Sequence, residues 1–123
     1  MKLFLLLGAI FGGLSVAGGA FASHALKAQL RERSLEIFET GARYQMYHAL
    51  ALITVAILLQ ILEGDQNLLT IAGSSFTLGI ILFSGSLYAL SLSGIGWLGA
   101  ITPLGGVAFL VGWGCIAIAA LNL

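Results

Sequence analysis

From Leu3 to Leu26 no charged side chain interrupts the chain, and at about 1.5 Å rise per residue a helix over this run exceeds the roughly 30 Å hydrocarbon core of a bilayer. A membrane span is predicted over about residues 3–26. With about 3.6 residues per turn, Leu3, Leu7, Ile10, Phe11, Leu14 and Phe21 fall on a bulky face and Gly8, Gly12, Ser15, Gly19 and Ala22 on a small one. Gly13, Ala17, Ala20 and His24 make a third stripe nearly opposite the second. Small residues at such spacings let backbones approach closely, which is how helices associate where lipid removes the hydrophobic drive. The expectation is a first helix wedged between two neighbours, its bulky side on lipid, with Gly8-x-x-x-Gly12 used for contacts within the chain.

The pattern changes over residues 27–43. Plotted as a helix, Leu30, Leu35, Ile37, Phe38, Gly41 and Ala42 share a broad apolar arc, while Glu32, Arg33, Glu36, Glu39 and Arg43 take the other side. This predicts a short amphipathic helix lying in the membrane interface, with Glu39 and Arg43 in the favourable i, i+4 order. A second span follows over about 44–62 and ends at the turn-forming Glu63-Gly64-Asp65-Gln66-Asn67. The third span, about 68–90, carries Ser74, Ser75, Thr77, Ser84 and Ser86, whose hydroxyls bond back to the preceding turn or across to another helix.

A fourth span covers about 99–122. Thr102 and Pro103 read as N-cap and first helical residue; a helix starting at Trp97 or Leu98 instead would make Pro103 a kink. Gly105, Ala108, Gly112, Cys115 and Ala119 form another small stripe that predicts a close neighbour. The fold class is therefore all-α: a single-domain, polytopic membrane four-helix bundle with a short amphipathic interfacial helix between helices one and two.

Composition agrees. Hydrophobic residues are 59% of the chain and charged ones 8%, too few to coat a water-facing surface. Net charge is zero, so the basic excess that nucleic acid calls for is missing. Cys115 is the single cysteine, which leaves no intramolecular disulfide and no CxxC metal site. The first residues also have the form of a secretory signal, with Lys2, an apolar core and Ala20-Phe21-Ala22 as a cleavage site; we read them as a retained span. Residues 27–43 hold four Lys or Arg, against Lys2 alone on the opposite side. The positive-inside rule then makes this segment cytoplasmic, both termini external, and places Tyr44, Tyr47, Tyr88 and Trp97 at the inner interface of a bacterial cytoplasmic membrane.

Candidate chemistry gathers between His24 and His48, which hold between them seven of the ten charged residues. A hairpin of the first two helices would bring both imidazoles to one membrane face, a geometry that suits a shared metal or axial haem ligation. Cysteine partners and a CxxCH motif are missing, so neither metal nor cofactor is expected. A polar cluster of His24, Arg43, Tyr44, Gln45 and His48 suits a lipid headgroup or an anionic partner segment better. The spans hold no Asp, Glu, Lys or Arg for ion-coupled transport, although a channel or transporter for a small neutral solute stays open. No acid is placed to orient a histidine base, so an enzyme is not expected. The favoured role is interaction, accessory or lipid-binding, with membrane lipid, a membrane-protein partner or a second copy as the partners.

Four stretches carry a resemblance: Gly19-Ala20-Phe21-Ala22-Ser23-His24-Ala25-Leu26-Lys27, Arg43 to Leu52, Phe83-Ser84-Gly85-Ser86-Leu87-Tyr88, and Leu98 to Gly106. With these the chain resembles the small four-helix membrane protein family catalogued as domain of unknown function 423, itself similar to eukaryotic transmembrane protein 256. Ala22, Ser23 and Ala25 stand where that family usually has Gly, Ala and Gly. The resemblance implies a polytopic membrane protein with no established activity, cofactor or substrate.

Overall fold

The computed structural model describes residues 2–64 and 66–123, so Asp65 of the expected turn lies outside the described residues. Helix α1 (Lys2–Phe21) runs on through a π-helical turn at Ala22–Leu26, and α2 is Glu32–Ile61. Helix α3 (Asn67–Gly79) continues through a π-helical turn (Ile80–Ser84) into α4 (Gly85–Ser93), which ends at Gly94 with φ of 71°, a left-handed cap that glycine adopts without strain. A 3-10 turn (Gly96–Ala100) leads into α5 (Thr102–Leu121). These elements supply four helices long and apolar enough to cross a membrane: Lys2–Leu26, Glu32–Ile61, Asn67–Ser93 and Gly96–Leu121.

The separate interfacial helix expected over 27–43 is not formed. Residues 32–43 are the first turns of α2 itself, and only the connection before them breaks the helix. Polarity changes at Arg43, but backbone hydrogen bonding does not depend on side-chain polarity, and this stretch has no proline to interrupt it. At about 1.5 Å per residue α2 is about 45 Å long, which matches hydrocarbon core plus headgroup layers rather than the core alone. The apolar arc is nonetheless used: Phe38 packs with Ala22 and Leu26, and Leu30, Leu35 and Tyr88 close over them. Arg43 bonds Thr40 Oγ1 at 3.2 Å rather than pairing with Glu39, and the ion pair among the described residues is the exposed Arg33–Glu36 at 3.9 Å.

The centre of the molecule is α2 with the third span. Their most apolar stretches are 44% and 39% buried against 17% for the first and fourth spans, so α1 and α5 are the outer helices. Phe76, Leu52, Val55 and Ser84 fill the middle. Glycines set the distances. A Cβ on Gly8 would meet Ile53 at 2.7 Å and the Ala49 carbonyl at 2.9 Å; on Gly79 and Gly112 it would overlap the rings of Phe109 and Phe76, and on Gly105 the backbone of Phe83. Large rings thus enter gaps that missing side chains leave, the small-residue packing of membrane helices.

Helix α1 is not wedged between two neighbours. Gly8 and Ser15 are buried against α2 and Gly12 lies 3.8 Å from Ala49 Cβ, but Gly19 meets nothing within 4 Å and Gly13, Ala17, Ala20 and His24 are exposed. Phe4 alone reaches deeply toward the third span, its ring filling the space beside Gly73. The connections explain this: a short link hairpins α1 onto α2, after which α2 turns its other face to the third span. Pro103 stands in the first turn of α5 and does not kink it. Thr102 does not act as its N-cap, because its hydroxyl pairs with Ser86 Oγ at 2.6 Å on α4.

Candidate functional site

Hydroxyl and amide side chains tie the helices together in the half of the bundle next to the charged end of α2. Ser15 Oγ donates to the Ala42 carbonyl at 2.6 Å, and Gln45 Nε2 donates to the Phe11 carbonyl at 2.8 Å, both joining α1 to α2. Ser84 Oγ donates to the Gly41 carbonyl at 2.7 Å, and Tyr88 OH donates to Gln45 Oε1 at 2.6 Å, joining α2 to the third span. Gln45 therefore bridges three helices through one amide. The π-helical turn at Ile80–Ser84 supplies one residue beyond the α-helical repeat just where Ser84 and Phe83 face α2 and α5.

His48 makes the link to α5. Its Nδ1 lies 2.7 Å from the Tyr44 carbonyl, which can only accept, and its Nε2 lies 3.1 Å from Trp113 Nε1, which can only donate. These partners select the neutral tautomer with the proton on Nδ1. The imidazole stacks on Phe109 at 3.5 Å between ring centroids and 5° between planes, with Phe76 and Trp113 at its edges. Both ring nitrogens are thus engaged inside the bundle, and neither is presented to a metal.

The expected polar cluster divides. Tyr44 and His48 stay together, rings stacked with centroids 6.3 Å apart, but Gln45 is buried on a separate network, Tyr44 also packs on Phe83 at 4.8 Å and edges Tyr47, Arg43 bonds Thr40, and His24 is exposed. In the α1–α2 hairpin His48 sits near the level of Gly8 to Phe11, which leaves His24 more than a dozen residues away along α1, about 20 Å at 1.5 Å per residue. A hairpin does bring residues to one level, but only those equidistant from its turn, and these two are not. Of the packing residues, Gly8, Ser15, Gly105 and Gly112 are buried at helix contacts, Gly12 is looser and Gly19 is open.

Because α1 leans on α2 alone in this half, a groove lies on each of its flanks. One, of about 320 Å³, is bounded by Phe11, Leu14 and Gly18 of α1, Phe38 and Gln45 of α2, and Ile80, Ile81, Gly85 and Tyr88. The other, also about 320 Å³, has Ser15, Val16, Gly19 and Ser23 facing Glu39, Ala42, Arg43 and Met46. The first is apolar with a polar floor, the second carries the only cation of either.

Residues 18–106 match the family described as a protein of unknown function, DUF423. The chain belongs to that family. It is similar to the UPF0382 membrane protein YwdK of Bacillus subtilis, 50% identical over 122 residues, which cover 99% of this chain and 98% of that protein. It is also similar to the UPF0382 membrane protein of Haemophilus influenzae, 44% identical over 110 residues, 89% of this chain and 86% of the relative. No solved structure matches. The DUF423 match takes in Gln45, His48, Ser84, Tyr88 and Thr102, whereas Phe11, Ser15, Phe109 and Trp113 lie outside it.

Sequence reading missed Tyr88 as the partner of Gln45 and Trp113 as the partner of His48. One signal was available: an amide and an imidazole inside uncharged spans need partners, since oil offers none. A double-mutant cycle on His48→Phe and Trp113→Phe is expected to give a coupling of about 0.6 kcal/mol, with about 1.7 as the ceiling for such bonds in membrane bundles. Unfolding in mild detergent measures it, and additive single effects would remove the bond from the account.

Proposed function

We propose that this protein is a non-enzymatic accessory element of the bacterial cytoplasmic membrane that holds lipid between its helices and presents the resulting surface to a membrane partner or a second copy. The observation that carries this reading is the pair of lateral grooves beside α1, at the level where the charged end of α2 gives way to its apolar length. Arg43, at the rim of a groove that Ser23 and Glu39 also line, suits a lipid phosphate on one flank; the aromatic walls of the other suit an apolar chain. The alternative role, a conduit for a small neutral solute, is less well supported, because Phe76, Leu52, Val55 and Ser84 fill the bundle centre.

Purification in a mild detergent followed by native mass spectrometry tests the proposal: lipid should stay bound, and release of every lipid with the fold intact would refute it. Arg43→Ala should reduce retention of anionic phospholipid by about fivefold, the ratio carried by one charge-assisted contact of roughly 1 kcal/mol at an exposed site. Sidedness is part of the proposal, with the start of α2 cytoplasmic and both termini external. Single cysteines at Glu36 and Asn122, in a Cys115→Ser background, should differ in labelling by an impermeant maleimide in intact cells: position 122 labelled, position 36 protected.

A further inference from the structure

We infer that a cleft between the first turns of α2 and the α4–α5 side of the bundle seats the headgroup of an amine-bearing phospholipid, its phosphate on Arg43 and its ammonium on Glu39. The inference rests on the lipid-holding role proposed above and adds the class of headgroup. The cleft encloses about 540 Å³ and is lined by two cations and two carboxylates, Arg33, Glu36, Glu39 and Arg43, with Phe83 and Leu87 as an apolar wall. These charges do not cancel one another in place. Arg43 donates to Thr40 Oγ1 at 3.2 Å, although Glu39 stands one turn away on the same helix. Glu39 has no side-chain hydrogen bond or ion pair among the described residues. Arg33 and Glu36 approach only to 3.9 Å with 82% and 60% of their side chains exposed, a contact that contributes little. A guanidinium has five N–H donors in a planar fork that fits phosphate, and Arg43 spends one of them.

The order of charge along α2 identifies the ligand. Helical side chains lean toward the N-terminus, and its bond to Thr40 sets the Arg43 guanidinium back toward the start of α2. Glu39 begins one residue before Thr40 and leans the same way; Glu36, four residues before Thr40, is about 6 Å further along and shares its face. From the apolar length of α2 toward its start, the cleft thus presents a cation and then carboxylates. An amine-bearing phospholipid, from its acyl chains outward, presents a phosphate and then, two carbons on, an ammonium. The two orders match. A headgroup that ends in a neutral polyol would instead leave both carboxylates unmatched beside its phosphate, which selects against it. Position along the bundle adds a reason for an occupant. The Ser15 bond to the Ala42 carbonyl sets the backbone at Arg43 level with the middle of the Lys2–Leu26 span, where a guanidinium facing hydrocarbon is costly. The cleft gives a polar route to it from Arg33, ten residues and about 15 Å away along α2.

The full-length protein is placed in nanodiscs containing equal amounts of phosphatidylethanolamine and phosphatidylglycerol with matched acyl chains, released, and weighed by native mass spectrometry. Phosphatidylethanolamine should be retained about threefold over phosphatidylglycerol, the ratio that one partly exposed ion pair carries. Residues 27–43 hold four Lys or Arg against three Glu, so general attraction favours the anionic lipid and the expected preference runs against it. Glu39→Gln removes no hydrogen bond or ion pair among the described residues and should bring the ratio to unity or below, while Arg43 still holds phosphate. Glu32→Gln, at a carboxylate outside the cleft, should leave the ratio unchanged. Equal retention of the two lipids, or more phosphatidylglycerol, overturns the headgroup inference and leaves lipid holding intact; retention of neither overturns both. A preference that survives Glu39→Gln at the native unfolding midpoint puts the ammonium elsewhere and overturns the inference as well. The comparison on the native chain tests the headgroup class even where a variant does not fold.

Discussion

Gly105→Leu will lose about 3 kcal/mol of stability or more, the upper range for forcing atoms into a packed core, while its neighbour Gly106→Leu will change stability by no more than about 0.5 kcal/mol. A Cβ at position 105 would overlap the backbone nitrogen and Cα of Phe83, and backbone inside a helix cannot rotate aside as a side chain does. At position 106 a Cβ meets nothing within 4 Å. The two substitutions add the same apolar volume to one helix, one residue apart, so hydrophobicity and helix propensity cancel in the comparison. Detergent unfolding followed by circular dichroism measures it. Equal midpoints for the two variants would mean that α5 does not pack on the π-helical turn as described.

The second large effect concerns Gln45. Gln45→Leu removes both bonds of the bridge from α2 to α1 and α4, and leaves the Tyr88 hydroxyl in an apolar pocket with its donor unmatched. A loss of about 2 kcal/mol is expected, within the range of roughly 1–3 for stranding a buried polar group. Adding Tyr88→Phe to that variant removes the stranded hydroxyl and should recover about 1 kcal/mol, so the pair is less damaging than the sum of its parts. Limited proteolysis gives a second readout, because among the described residues Gln45 and Ser15 supply the side-chain hydrogen bonds between α1 and α2, and the link ahead of α2 should be cut sooner. Additive losses would show that Gln45 and Tyr88 do not share the bond.

Much of the architecture was legible along the chain. Uncharged runs long enough for a bilayer marked the four spans, because in oil a backbone must satisfy its own hydrogen bonds and a helix does so within one segment. Gly8, Ser15, Gly105 and Gly112 were visible as packing positions through their 3-4 spacing. The same spacing misled at Gly13, Ala17 and Ala20, which are exposed: periodicity states that residues share a face, not that anything covers it. The interfacial helix was misread for a related reason. A change from charged to apolar side chains resembles a boundary, yet Glu32 to Ile61 is one uninterrupted helix.

The candidate site was legible only by half. Gln45 and His48 could be picked out as polar residues in an apolar run, but grouping them with His24 and Arg43 assumed that neighbours in sequence share a network. Their partners instead come from 34, 43 and 65 residues away, at Phe11, Tyr88 and Trp113.

By itself, then, the amino-acid order determined that this chain enters a membrane, how many times it is able to cross, and which glycines and serines share a helix face. Those follow from local quantities: run length against bilayer thickness, and side-chain size at helical spacing. Tertiary structure alone decided that α1 rests on α2 and leaves grooves on both flanks, that Thr102 bonds Ser86 instead of capping α5, and that one amide joins three helices. Helices in lipid choose neighbours by fit and by matching stranded donors with acceptors, and both are properties of pairs of surfaces that no single stretch of sequence carries.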